Sequence, residues 1–258
     1  MSVEYKKKLI RIDQKEFNEL DYYVVKHAFS IHNEFGRFCD EVIYKKELAL
    51  LLKKQGFDVQ LEVPVYCNYK DYTKIYYLDL VVNNKIIYEL KTVADLNKYH
   101  KTQLINYLLL TNLKHGNLLN FRSSSVEKEF VSTTLDLKKR KEFTITGDNT
   151  PLNNLLNSLL KEWGAYLDID LYKEAIIFFL GGKDKTVSTV DILKENEVVG
   201  KQQMTTLNKN TAFHLSPIKN DYKNYEKHIC KLLSHTSLTN IIWVNFDNNN
   251  IQIKNIKK

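Results

Sequence analysis

One order of hydrophobic periods runs through this chain twice, and it limits the fold more than any other feature. Residues 16–35 read as a helix, with Phe17, Leu20, Val24, Ala28 and Ile31 on one stripe. Gly36 breaks it, and a second helix over residues 38–54 stops at Gln55-Gly56. Strand periods follow. Residues 58–66 alternate, and 74–82 and 85–91 flank an Asn83-Asn84 turn. A helix over 98–110 leads to strands at 117–121 and 127–133. That completes an α/β domain spanning residues 1–134. Charged, then turn-rich, residues 135–150 are expected to be a linker. Beyond it the order recurs over residues 151–258. An offset of 128 lays Glu34-Phe35-Gly36 on Glu162-Trp163-Gly164 and Tyr44-Lys45 on Tyr172-Lys173. An offset of 125 lays residues 78–121 on 203–246 without a gap, and sets Asn120-Phe121 on Asn245-Phe246. The expectation is a tandem duplication.

Composition narrows the setting. At 258 residues the chain is long enough for two domains, and 43% hydrophobic with 27% charged residues is globular. A net charge of +7, nearly all from lysine, attracts polyanions without naming one; a lysine-solubilised surface reads the same way. Cys39, Cys67 and Cys230 form no Cys-x-x-Cys pair, which argues against a zinc ribbon or a disulfide framework. The first residues lack an apolar signal core and no run is long enough to span a membrane, so an intracellular, cytoplasmic protein is expected.

The chemistry concentrates between Leu78 and Lys91. Asp79 ends one apolar run, and Glu89 and Lys91 sit two apart on the next, hence on one face with Leu90 turned away. A three-residue loop, Asn83 to Lys85, sets Asp79 opposite Glu89; a two-residue loop pairs Asp79 with Tyr88 and separates the carboxylates. Two carboxylates on neighbouring strands are hard oxygen donors suited to Mg²⁺ or Mn²⁺. An ordinary hairpin with solvated charges has the same spacing.

Further residues bear on the choice. Gly36 is followed by Glu41-Val42-Ile43-Tyr44, Asp79-Leu80-Val81-Val82, Glu89-Leu90-Lys91, Gln103 to Tyr107, and Asn120-Phe121. In that order and spacing the segment resembles the PD-(D/E)XK nuclease superfamily, and within it the bacterial GxxExxY proteins, over residues 20–134. Phe38 stands where that group's naming motif has glycine, and Leu78 where the superfamily has proline. The resemblance implies tandem restriction-endonuclease-like lobes, each a mixed central sheet flanked by helices. It implies a metal-dependent nuclease, with Asp79, Glu89 and the Leu90 carbonyl as metal ligands and Lys91 orienting the attacking water. Glu41 would reach a metal-bound water or a second ion, and Gln103 and Tyr107, on one helical face, would orient Lys91 or touch nucleic acid. Tyr44 reads better as packing and Asp40 as a surface charge.

At the second copy, Asp79 falls on Met204, Glu89 on His214, Lys91 on Ser216, Gln103 on His228, Tyr107 on Leu232 and Glu41 on Ile169. Without carboxylates no hard-metal site remains, so residues 151–258 are expected to be a degenerate, inactive pseudo-nuclease domain. Its roles would be packing as a built-in pseudo-dimer partner or extending a basic surface along nucleic acid. The whole is read as a Mg²⁺- or Mn²⁺-dependent hydrolase of phosphodiester bonds with DNA as its partner. The rival is a non-catalytic module binding nucleic acid or protein.

Overall fold

A computed structural model describes residues 3–5 and 7–258. After the short strand β1 (Val3–Glu4), helix α1 (Gln14–Phe35) opens on Asp13, whose carboxylate accepts the Glu16 N–H at 2.9 Å. Such a cap contributes about 1 kcal/mol. The stripe Phe17, Val24, Ala28 and Ile31 is buried, and α1 stops at Gly36, whose φ of 69° suits glycine. Helix α2 (Glu41–Lys54) buries Tyr44, Leu48 and Leu52 on the same core.

Strands β2 (Val59–Tyr69), β3 (Tyr72–Val82) and β4 (Ile86–Lys91) follow. Asn83 and Asn84 take positive φ angles of 52° and 57° between β3 and β4, which asparagine tolerates. Helix α3 (Lys98–Thr111) begins with a capping box between Asn97 and His100 and crosses over to β5 (His115–Asn120), parallel to β4; β6 (Glu127–Ser132) then runs antiparallel to β5. At Gly116 a side chain would meet the Ile87 carbonyl at 2.8 Å and a Leu104 methyl at 3.2 Å, so glycine lets α3 approach the sheet closely. The sheet order is β1-β2-β3-β4-β5-β6. Tyr88 and Leu90 enter the core with α1 and α2, which sends their neighbours Ile87, Glu89 and Lys91 to the opposite face.

The chain continues through α4 (Leu137–Arg140), β7 (Thr144–Gly147), α5 (Asn153–Trp163), α6 (Ile169–Phe179), α7 (Lys183–Thr186), β8 (Val187–Lys194), β9 (Glu197–Asn208), β10 (Thr211–Ser216), α8 (Tyr222–Ser234), β11 (Asn240–Asp247) and β12 (Asn250–Lys257). Its sheet reads β7-β12-β11-β10-β9-β8. Both lobes are thus α/β, each with a six-stranded mixed sheet flanked by helices. Two compact units divide the chain between Leu137 and Lys138, the second also taking Tyr69–Tyr72. Much of the stretch expected as a linker is structured. Residues 144–147 pair with β12 in parallel, Arg140 is buried, and its carbonyl accepts the Ala165 N–H at 2.8 Å. Charge and turn residues misled there because the ordering partners lie far along the chain. No helix among the described residues is long and apolar enough to cross a membrane.

From the first long helix onward the lobes repeat one another in order and in register, apart from α7 and from the sixth strand, which lies beside β2 in one sheet (β1) and beside β12 in the other (β7). Helices α5 and α6, the meander β8–β9–β10, α8 and the pair β11–β12 follow the path of α1, α2, β2–β3–β4, α3 and β5–β6. Lys91 pairs with Asn120, and Ser216 with Asn245. Val81 pairs with Ile87, and Thr206 with Ala212. Gly116 pairs with Val131, and Ile241 with Ile256. Every one of these pairs is displaced by 125.

Candidate active site

Three strands, β2, β3 and β4, and two helices, α2 and α3, build the site. The β3–β4 ladder pairs Leu80 with Tyr88, so the next step sets Asp79 across from Glu89. The three residues Asn83 to Lys85 lie between the strands, the loop length that sets the carboxylates together. The Leu90 N–H is donated to Asp79 Oδ2 at 2.9 Å, so at this step a side chain takes the place of a ladder carbonyl. Glu89 is 2% exposed and Lys91 donates to its Oε1 at 2.7 Å, confirming that residues two apart share a face. Its other oxygen, Oε2, is buried without a hydrogen-bond partner. A buried unsatisfied acceptor costs about 1–3 kcal/mol, so it marks a place where a ligand group is wanted.

From α2 comes a residue that the motifs did not single out. Lys45, 6% exposed, donates to Asp79 Oδ1 and to Glu62 Oε1, each at 2.5 Å, and stands 3.7 Å from Glu41. Glu62 holds a φ of 49° inside β2, a left-handed kink that turns its carboxylate toward Lys45. A buried lysine is tolerated only when its charge is answered, and here three acids answer it. Two signals pointed at Lys45: the i, i+4 step from Glu41, and its recurrence as Lys173 beside the repeated tyrosine. Nothing in the local sequence pointed at Glu62, because the kink is a tertiary event.

Two of the acids, Glu41 and Glu89, are raised. Glu89 is pushed up to about 7 by burial and then by the Asp79 charge, with Lys91 opposing. Burial and Asp79 also raise Glu41. Burial alone would lower Lys91, yet Glu89 beside it raises it, and Lys45 is raised by Asp79 and Glu62 in the same way. Burial lifts the Tyr107 phenol to about 12, with the Gln103 hydrogen bond opposing and the charges of Glu89 and Asp79 adding to the rise. Tyr107 therefore lies within the field of the acids. Gln103 donates to the Tyr107 hydroxyl at 2.9 Å, while the ammonium of Lys91 is held by Glu89.

Tyr44 is structural. It is fully buried, donates to the Gly36 carbonyl at 2.7 Å, accepts the Cys39 N–H at 3.1 Å and stacks on Phe121 at 4.5 Å. Asp40 is exposed. Among the described residues no three His, Cys, Asp or Glu side chains gather closely enough to hold a metal by themselves. A cation here would take the Asp79 and Glu89 carboxylates and the Leu90 carbonyl, with water completing its shell. That is how Mg²⁺ is commonly held, and the orphaned Glu89 Oε2 fits it.

In the C-terminal lobe the corresponding positions carry no acid. Ser216, where Lys91 stands, donates to Asn245 Oδ1 at 2.9 Å and accepts from Trp243 Nε1 at 2.8 Å. His214, where Glu89 stands, meets the Tyr225 hydroxyl at 2.6 Å.

No curated protein and no solved structure matches the chain. A family model does: the PD-(D/E)XK nuclease superfamily matches residues 18–133, the interval that runs from within α1 through β6 and holds every residue of the site. Over residues 18–133 the N-terminal lobe is similar to the PD-(D/E)XK nuclease superfamily.

Proposed function

We propose that the N-terminal lobe hydrolyses phosphodiester bonds of nucleic acid, with DNA as substrate, at a site assisted by Mg²⁺ or Mn²⁺. The observation that carries this reading is Glu89: a carboxylate buried on a central strand, held up to about 7, with one oxygen left without a partner. A fold tolerates such a group where a ligand completes it. When bound, a divalent ion would polarise a phosphoryl oxygen and acidify water.

The chain's own groups divide the remaining work. Asp79 and Glu89 supply negative oxygens from adjacent strands, and Leu90 its carbonyl. Lys91, anchored at 2.7 Å on Glu89, is a cationic donor for the attacking water or a phosphate oxygen. Lys45 keeps Glu62 as counter-ion when Asp79 turns to a cation, so it holds the empty site together electrostatically. Glu41, with its raised affinity for a proton, stands beside Lys45 as a proton acceptor at the edge of the cluster. Gln103 and Tyr107 bond one another and fix the α3 face that borders the acids. The order of short motifs supports placement near the GxxExxY proteins.

The second reading is a nuclease fold kept for binding alone. It is favoured by the closed ion pairs, since Lys45 and Lys91 already answer Asp79 and Glu89 without a metal. Labelled single- and double-stranded DNA and RNA, incubated with Mg²⁺, Mn²⁺ or chelator, separate the two. Cleavage of DNA with either ion, absent in chelator and lost in Glu89→Ala and Lys91→Ala, supports hydrolysis. Equal products in chelator, or active variants, overturn it. For the C-terminal lobe, the loss of every acid supports the reading of a pseudo-nuclease derived by duplication.

A further inference from the structure

The C-terminal lobe keeps a cavity of about 740 Å³ where its catalytic centre would have been. Among the residues lining it are Met204, His214, His228 and Leu232, the positions that correspond to Asp79, Glu89, Gln103 and Tyr107. Lys173, at the position of Lys45, lines it too. The volume suits a ligand the size of a nucleotide.

The two lysines differ in what surrounds them. Lys45 spends its charge on Asp79, Glu62 and Glu41. In the C-terminal lobe the corresponding partners are Met204 and Ile169, and Lys173 makes no ion pair among the described residues. Desolvation and then the Lys173 charge hold the His214 imidazole below its ordinary value, which puts the two groups within electrostatic reach of one another. Lys183 adds a second cation to the wall, and Asp170 and Glu174 stand there as its acids. His214 and Tyr225, both on the wall with Lys173, lie nearly parallel at 5.9 Å, and Tyr225 lies 5.3 Å from the Trp243 ring behind it.

We propose that the C-terminal lobe binds a nucleotide phosphate in this cavity without cleaving it, with Lys173 as the cation and the His214–Tyr225 stack as a platform for the base. A cation without an ion pair meets the phosphate, flat rings meet any base, and Met204 and His214 in place of Asp79 and Glu89 remove the hydrolytic carboxylates, while Lys183 answers the charge of Asp170 and Glu174 on the same wall. The inference rests on the reading of the N-terminal lobe as a phosphodiester site, and it gives the second lobe the grip and the first the cut.

The test is fluorescence anisotropy of the whole chain with a labelled twelve-nucleotide oligothymidylate, in chelator so that cleavage cannot enter. Lys173→Ala removes no native ion pair and is expected to weaken binding about tenfold and to reduce the slope of log affinity against log salt by about 0.7. Lys173→Arg should restore both. Competition by AMP would assign the pocket to a free nucleotide, and competition by unlabelled oligonucleotide alone to a strand; either supports the phosphate pocket. Wild-type affinity and salt slope in Lys173→Ala would overturn it. Cleavage by the wild type in Mg²⁺ is scored separately, so a failure of the nuclease reading is distinguishable from a failure of this one.

Discussion

At the end of β4 the N-terminal lobe carries Glu89 and Lys91, and at the same register β10 carries His214 and Ser216. The framework around these positions is largely kept. Gly36 and Gly164 both end a first helix at positive φ, and Tyr44 and Tyr172 both donate to that glycine's carbonyl. Asn120 braces Val93 through its side-chain amide, and Asn245 braces Ile218 in the same way. Tyr44 stacks on Phe121 and Tyr172 packs on Phe246. The framework is therefore separable from the acids it presents. Where the acids are kept, a buried oxygen of Glu89 goes unpaired; where they are gone, Ser216, Asn245 and Trp243 close into a satisfied network. One lobe carries the cost of a poised site and the other does not.

The comparison breaks most plainly on activity. Glu89→Ala and Lys91→Ala should each reduce DNA cleavage about 1,000-fold or more, as expected on removing a group that acts on the transition state. Ser216→Ala, at the position matching Lys91, should leave kcat unchanged in a gel-based cleavage assay. An equal loss in Ser216→Ala would place the chemistry in the wrong lobe.

Stability against pH should differ next. Glu89 stays protonated up to about 7 in the folded chain, while its ordinary value is 4.5. Between those values the folded state binds the extra proton, so folding free energy falls as pH rises, and levels off above about 7. The loss attributable to Glu89 is on the order of 2–3 kcal/mol. Urea titrations of wild type and Glu89→Gln at pH 5 and pH 8 should show the variant gaining on the wild type at the higher pH. An unchanged difference would mean that Glu89 is ionised throughout.

The glycines should sharpen the contrast between matching turns. Gly36→Ala meets open space and should cost only backbone strain, about 1 kcal/mol. Gly164→Ala brings a methyl to 2.8 Å from Arg140 Cβ and should cost more, about 2–3 kcal/mol. Equal losses in thermal unfolding would contradict the closer packing of the second turn. The tyrosines differ least: Tyr172→Phe removes a bond to a glycine carbonyl and should cost about 1 kcal/mol, and Tyr44→Phe, which also takes the acceptor from the Cys39 N–H, about 1–2 kcal/mol.

Much of this was legible in the sequence. The stripe from Phe17 to Ile31, the helix stops at Gly36 and Gly56, and the Asn83-Asn84 turn lie within a residue or two of the observed elements, because local period and turn chemistry determine them. The 125 offset carried register as well as order, because the matched apolar positions are the buried ones. Long-range pairing was not legible. Strand β7 joins the sheet through β12, more than a hundred residues away, and charged residues hid it inside an expected linker. The burial of Lys45 was not legible either, because it depends on the kink at Glu62 and the reach of Asp79.

Calorimetric titration of the metal-free chain with Mn²⁺ at pH 8 tests the central claim most directly. Saturable binding in the wild type and in Met204→Ala, lost in Glu89→Gln, is the result expected if the N-terminal acids hold the ion and the C-terminal lobe holds none. Binding that survives Glu89→Gln unchanged, or that disappears in Met204→Ala, would contradict it.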